Sequence, residues 1–138
     1  LLLFEKIDIM LDTLPWSSHT ITCESLWMGV PILTKAGNTR PGRFSASILS
    51  SLDMNDWIAF SDEEYIEKAS SLTANLDALN ELRLSLRKHM HSSPLCDGKR
   101  FTADLNVNIT GLGRHGVNLP PHSYCGLEFC EQLKADMT

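Results

Sequence analysis

Six side chains within eight residues could handle an anion: Ser17, Ser18, His19, Thr20, Thr22 and Glu24. Hydroxyls and an imidazole donate hydrogen bonds to phosphate oxygens. A carboxylate does the reverse and accepts from paired hydroxyls such as those of a ribose. Glu24 stands four residues after Thr20, so on a helix the two share a face. The first N–H groups of a helix have no internal partner, and with the helix dipole they favour an anion. Phosphate donors at a helix tip, with a carboxylate one turn in, describe a nucleotide-diphosphate site. The same residues also describe an ordinary capped helix with an idle loop histidine. On residue types alone that plainer use comes first.

A site of this kind needs a strand to lead into it and a helix to carry it. Ile7-Asp8-Ile9-Met10-Leu11 reads as a buried strand. From Thr20 to Met28 a helix is predicted, with Cys23, Leu26, Trp27 and Val30 on one apolar face. Gly29 stands where helices stop. Val30 to Thr34 is a second strand, entered almost without a loop. Strand, helix and strand in so short a span predict a parallel sheet with a right-handed crossover. In such sheets ligands bind beyond the carboxyl ends of the strands, where the Asp12 to His19 loop falls.

Further helices are predicted over Phe44 to Leu52, Asp62 to Ala74, Asn75 to His91 and from Lys99 to Leu105, with a third strand at Trp57 to Phe60. Ser61 is the predicted cap of the Asp62 helix, whose first turn is acidic. Tyr65, Ile66, Ala69 and Leu72 form the apolar side of that helix. Leu76, Leu79, Leu82, Leu86 and Met90 form that of the next. After Asn106 no period of either kind survives, and Gly and Pro accumulate.

The chain has 138 residues, 43% hydrophobic and 21% charged, with net charge −5. That is ordinary globular composition, large enough for a core. The acidic balance and lack of a basic run argue against a nucleic-acid partner, and no stretch reaches the length of a membrane span. Cys23, Cys96, Cys125 and Cys130 show neither a CxxC pair nor zinc spacing. They suit reduced thiols in a cytoplasm, and no metal is expected. The start, Leu-Leu-Leu-Phe, reads as a cut edge inside an element.

Several motifs, in order, carry a resemblance. Asp8-Ile9-Met10-Leu11-Asp12-Thr13-Leu14-Pro15-Trp16 is followed by His19-Thr20-Ile21-Thr22-Cys23-Glu24 and Leu26-Trp27-Met28-Gly29-Val30-Pro31. Then come Ala36-Gly37, Arg43, Ser47-Ile48-Leu49, Glu64-Tyr65, Arg83, Ser92-Ser93-Pro94-Leu95-Cys96-Asp97 and Arg100-Phe101. Over residues 1 to about 106 the chain resembles the C-terminal part of the O-linked N-acetylglucosamine transferase (SPINDLY-type) catalytic region. The resemblance implies an α/β fold: a Rossmann-like parallel sheet with flanking helices, an incomplete C-terminal half of a GT-B glycosyltransferase. It implies an inverting transfer of a sugar, typically from UDP-N-acetylglucosamine, to Ser or Thr of a protein. Plant relatives use GDP-fucose. By the family's motif His19, Thr20 and Ile21 take the diphosphate positions and Glu24 the ribose position, with Thr22 beside them. No catalytic residue falls in this chain, and no cofactor or metal is expected beyond the donor sugar nucleotide.

Two departures are visible. Ser18 replaces the usual Gly before the triplet, which raises a question of backbone conformation. Ile21 replaces a usual Thr, which removes a hydroxyl but keeps an N–H. The N-terminal half of the fold, through which a protein acceptor would bind, is not represented, so inactivity of the chain alone is expected. Residues 1–106 are thus expected to form a partial donor-binding domain and 107–138 a divergent tail. Asn-Val-Asn-Ile after Leu105 permits codons that read Glu-Arg-Glu-Tyr in a shifted frame, the family's own wording. The tail is therefore expected to be disordered or translated out of frame.

Other readings remain. One is a nucleotide-binding or interaction module without chemistry. Another is a flavodoxin-like regulatory domain, for which only Asp12 supplies the acid. Trp27 is expected in the core, Trp16 as a loop anchor at the cleft mouth and Arg40 in solvent. Arg43 is divided between structure and site.

Overall fold

The computed structural model describes residues 3–112. Three parallel strands form the sheet in the order β1 (Met10–Leu11), β2 (Ile32–Lys35) and β3 (Ile58–Ala59). Met10 pairs with Ile32 and Leu11 with Leu33, while Thr34 pairs with Ile58 and Lys35 with Ala59. Helix α1 (Thr20–Trp27) links the first two strands and α2 (Phe44–Ser51) the next two. Then come α3 (Asp62–Leu72), α4 (Leu76–Ser92) and α5 (Gly98–Leu112). The expected α/β architecture, parallel strands with flanking helices, is the one observed.

Burial explains the order of elements. Ile32 and Leu33 of β2 are fully buried, as the middle strand of a sheet covered by helices requires. Leu26 of α1, Ile48 and Leu49 of α2, and Leu86 and Met90 of α4 meet them in one core. Fully burying one such side chain contributes about 1.5–3 kcal/mol.

The expected boundaries hold in outline, with three differences. β1 is only Met10–Leu11, behind a 3-10 turn at Phe4–Lys6, and it is not the buried strand expected: Ile7 and Leu11 are exposed, as befits an edge strand. Ile66 and Leu76, expected on apolar faces, point to solvent, so the core-facing stripes of α3 and α4 are narrower than their patterns. Helix α5 runs through the expected boundary at 106 to Leu112, past the stop near Leu105. The rest of the expected tail, with Cys125 and Cys130, lies outside the described residues.

The end of α1 is built closely. Gly29 adopts a left-handed φ of +78°, and Val30 N–H reaches back to Ser25 O at 2.8 Å. A Cβ at Gly29 would sit 2.9 Å from the backbone oxygen of Arg83. Only Gly fits both demands. Arg83 Nε donates to Gly29 O at 3.2 Å and Arg87 Nε to Trp27 O at 2.9 Å. Two cations of α4 thus meet the negative end of the α1 dipole, and the Arg87 guanidinium lies 5.4 Å over the Trp27 ring. Trp27 is buried, as expected of a core residue. This clamp fixes the axis of α1, and so the direction in which its opposite end points.

Candidate functional site

That opposite end begins where β1 stops. Asp12 is 6% exposed and organises the loop. Its Oδ1 accepts the N–H of Thr13 at 2.9 Å and of Ser18 at 2.8 Å. Its Oδ2 accepts the Thr34 hydroxyl of β2 at 2.6 Å. Tyr65 of α3 donates its hydroxyl to the Asp12 carbonyl at 3.1 Å. Burial, followed by the Asp12 charge, raises the Tyr65 pKa. With both oxygens engaged inside the protein, Asp12 is no exposed phosphate acceptor of the flavodoxin-like kind.

A second set of bonds joins the loop to the segment after β2. Ser17 is buried; its hydroxyl donates to Pro41 O at 2.8 Å and accepts the Ser45 N–H at 3.3 Å. Ser17 therefore caps α2 from another part of the chain, where the residue before that helix offers no side-chain cap. Gly42 permits this approach: a Cβ there would lie 3.0 Å from Pro15 O. Arg43 Nη1 donates to the carbonyls of Gly37 and Asn38 at 3.3 and 3.0 Å, a structural use. Trp16, 67% exposed, is held through its carbonyl, which accepts the Thr13 hydroxyl at 2.8 Å.

The sequence-predicted site residues occupy the first turns of α1. His19 is the residue before the helix and is exposed; it provides no side-chain cap. Thr20 and Ile21 follow, both exposed. Glu24 lies one turn further, partly exposed. Thr22 departs from expectation. It is fully buried, its hydroxyl donates to Ser18 O at 2.7 Å, and it lies 2.8 Å from the Ser45 hydroxyl. Its side chain binds α1 to α2, so only its main chain belongs to the tip. The Ser17 hydroxyl is likewise spent inside. Ser18 keeps a negative φ, so the position tolerates a side chain.

The helix tip therefore combines first-turn N–H groups that the His19 side chain does not cap, an exposed imidazole, an exposed threonine and a carboxylate one turn in. N–H groups and a dipole attract an anion, and the carboxylate accepts from neutral hydroxyls beside it. Among the described residues no cluster of three metal-ligating side chains occurs, and no helix is long and apolar enough to cross a membrane.

Sequence reasoning missed Thr34, Tyr65, Ser45 and Phe44 as parts of this site. The His19 and Phe44 rings lie 4.9 Å apart, centroid to centroid. Their partners in the loop are 22 to 53 residues away, so no local pattern announces them. Asp12 carried a signal, an acid closing an apolar strand, but its carboxylate works inward.

The model of glycosyl transferase family 41 matches residues 5–105. The chain is 40% identical over 111 residues to the probable UDP-N-acetylglucosamine–peptide N-acetylglucosaminyltransferase SPINDLY of Solanum lycopersicum, covering 80% of this chain and 12% of that protein. To the protein of the same description from Oryza sativa it is 44% identical, with the same coverage. A mutant O-GlcNAc transferase of Thermobaculum terrenum superposes with a TM-score of 0.74 at 37% identity, over 80% of this chain and 21% of that one. The chain thus spans about an eighth of the length of these plant relatives.

Proposed function

The chain belongs to glycosyl transferase family 41, and from that membership we propose that it is the donor-binding part of a protein O-glycosyltransferase. The donor is UDP-N-acetylglucosamine and the acceptor a Ser or Thr hydroxyl of a protein, held by parts of the enzyme beyond this chain. The observation that supports it most is the tip of α1: an exposed His19 ahead of a helix start without a side-chain cap, with Glu24 one turn in.

In this reading the diphosphate lies against the N–H groups of Thr20, Ile21 and Thr22. His19 donates to a phosphate oxygen, and Thr20 adds a hydroxyl. Glu24 accepts from the ribose hydroxyls. As the sugar leaves, negative charge grows on the diphosphate. Donors already aimed at it then gain more than they did in the ground state. The charge is met by the helix tip and the imidazole, so binding is expected without a divalent ion. No general base is assigned in this chain. The cysteines, with Cys23 buried and Cys96 partly buried, suit a cytoplasmic setting.

Calorimetry with UDP, in the presence of a chelator, tests the site. His19→Ala is expected to lose about 1.5–3 kcal/mol, one hydrogen bond to a charged group; unchanged affinity removes the assignment. Supplying the remainder of a family enzyme as a separate chain tests the activity. Recovered transfer to a Ser/Thr peptide supports the enzyme reading. UDP binding with no transfer supports a nucleotide-binding module instead.

A further inference from the structure

Phe44 and Ser45 begin α2, and both touch the start of α1. The Ser45 hydroxyl donates to Ser18 O at 2.5 Å and lies 2.8 Å from the Thr22 hydroxyl. Its N–H donates to Ser17 at 3.3 Å. Ser45 and Thr22 are fully buried. The first turn of α2 is thereby held in register with residues 17–22, on both sides of His19. Phe44, one residue earlier and partly buried, lies against the imidazole with centroids 4.9 Å apart and planes tilted by 58°. Tilted aromatic pairs of this spacing are attractive and directional.

Ordering a side chain on binding costs entropy, and a ring already packed against a neighbour has less of it to lose. We propose that Phe44 is a positioning residue that holds the His19 ring toward the helix tip before the donor diphosphate arrives. The proposal rests on the donor-site reading above. Phe44 acts through His19 and need not touch the ligand. Its own place is set by the Ser45 bonds, so α2 determines how well α1 presents its imidazole.

The test is a double-mutant cycle on the 138-residue chain. UDP is titrated into the millimolar range and followed on the amide resonances of Thr20, Ile21 and Thr22. Phe44→Leu removes the ring and keeps apolar bulk; Phe44→Tyr keeps the ring. With His19 present, Phe44→Leu is expected to weaken UDP binding about two- to tenfold, and Phe44→Tyr to restore it. In the His19→Ala background Phe44→Leu is expected to change nothing. An equal loss in both backgrounds overturns the proposal, because Phe44 then supports the fold or meets the ligand itself. No loss in either overturns it too. Should Phe44→Leu fail to fold, Phe44→Met takes its place in the same cycle. If UDP shifts no tip resonance in the parent chain, the donor-site reading falls and takes the proposal with it. Non-zero but additive losses remove the proposal alone.

Discussion

The Thr34 hydroxyl donates to Asp12 Oδ2 at 2.6 Å, fully inside the protein. This bond ties the end of β1 to β2, and the other oxygen of the same carboxylate holds Ser18, the residue before His19. Sheet and helix tip are therefore joined through one side chain. Asp12→Ala would strand three donors, of which the Thr34 hydroxyl is fully buried, and a buried donor without a partner costs about 1–3 kcal/mol. A loss of about 1–3 kcal/mol in urea unfolding is expected on that basis. Asp12→Asn retains an acceptor for both N–H groups and can donate to the Thr34 oxygen, so its loss should be much smaller. Equal losses for the two variants would show that charge, not hydrogen bonding, holds the loop.

Two positions with positive φ give opposite expectations. Gly29→Ala places a Cβ 2.9 Å from a backbone oxygen at φ +78°, and the left-handed conformation alone costs about 1–2 kcal/mol. A lowered melting temperature is expected, with α1 loosened from α4. Asp53 holds φ 55° just beyond α2, a place glycine suits better. Asp53→Gly should raise stability by about 0.5–1 kcal/mol. Thermal unfolding of the two variants reads both signs.

Glu24 is the ribose partner in the proposed donor site. Glu24→Ala is expected to weaken UDP binding by about tenfold or more, the loss of a charge-assisted hydrogen bond. The loss for 2′-deoxy-UDP should be smaller. Equal losses, measured by calorimetry, would leave a 3′-hydroxyl contact only.

Two groups contribute at opposite ends of the pH profile. Tyr65 has a raised pKa, chiefly from burial. The unfolded chain therefore gives up this proton first, and stability present below about pH 10 falls as pH rises above it. Tyr65→Phe should flatten that alkaline slope. Glu64 has a lowered pKa, first from the Phe60 N–H and then from Lys68. Its contribution is present above its ordinary value of 4.5 and is lost as pH falls through the lower folded value. Glu64→Gln should flatten the acid slope. Denaturant midpoints from acid to alkaline pH, for parent and variants, check both.

Much of the molecule could be read from its residues, because the signals were local. Apolar spacing marked α1, and Cys23, Leu26, Trp27 and Val30 are buried as that spacing requires. Ser61 before three acids marked the start of α3, and its hydroxyl does accept the Glu64 N–H. Gly29 marked the end of α1. Ordered motifs such as His19-Thr20-Ile21-Thr22-Cys23-Glu24 pointed to the family. What a local pattern cannot carry is which of several hydroxyls faces outward. Ser17, Thr20 and Thr22 look alike in the sequence, yet only Thr20 is exposed. The choice is made by Pro41 and Ser45, brought to the loop by the fold of β2 and α2. Tyr65 comes from farther still, 53 residues along the chain. Residue types and spacing determined that a helix tip with an imidazole and a carboxylate would exist. Only tertiary structure decided which donors remain for a ligand, because a hydroxyl spent on a buried partner is no longer available at the surface.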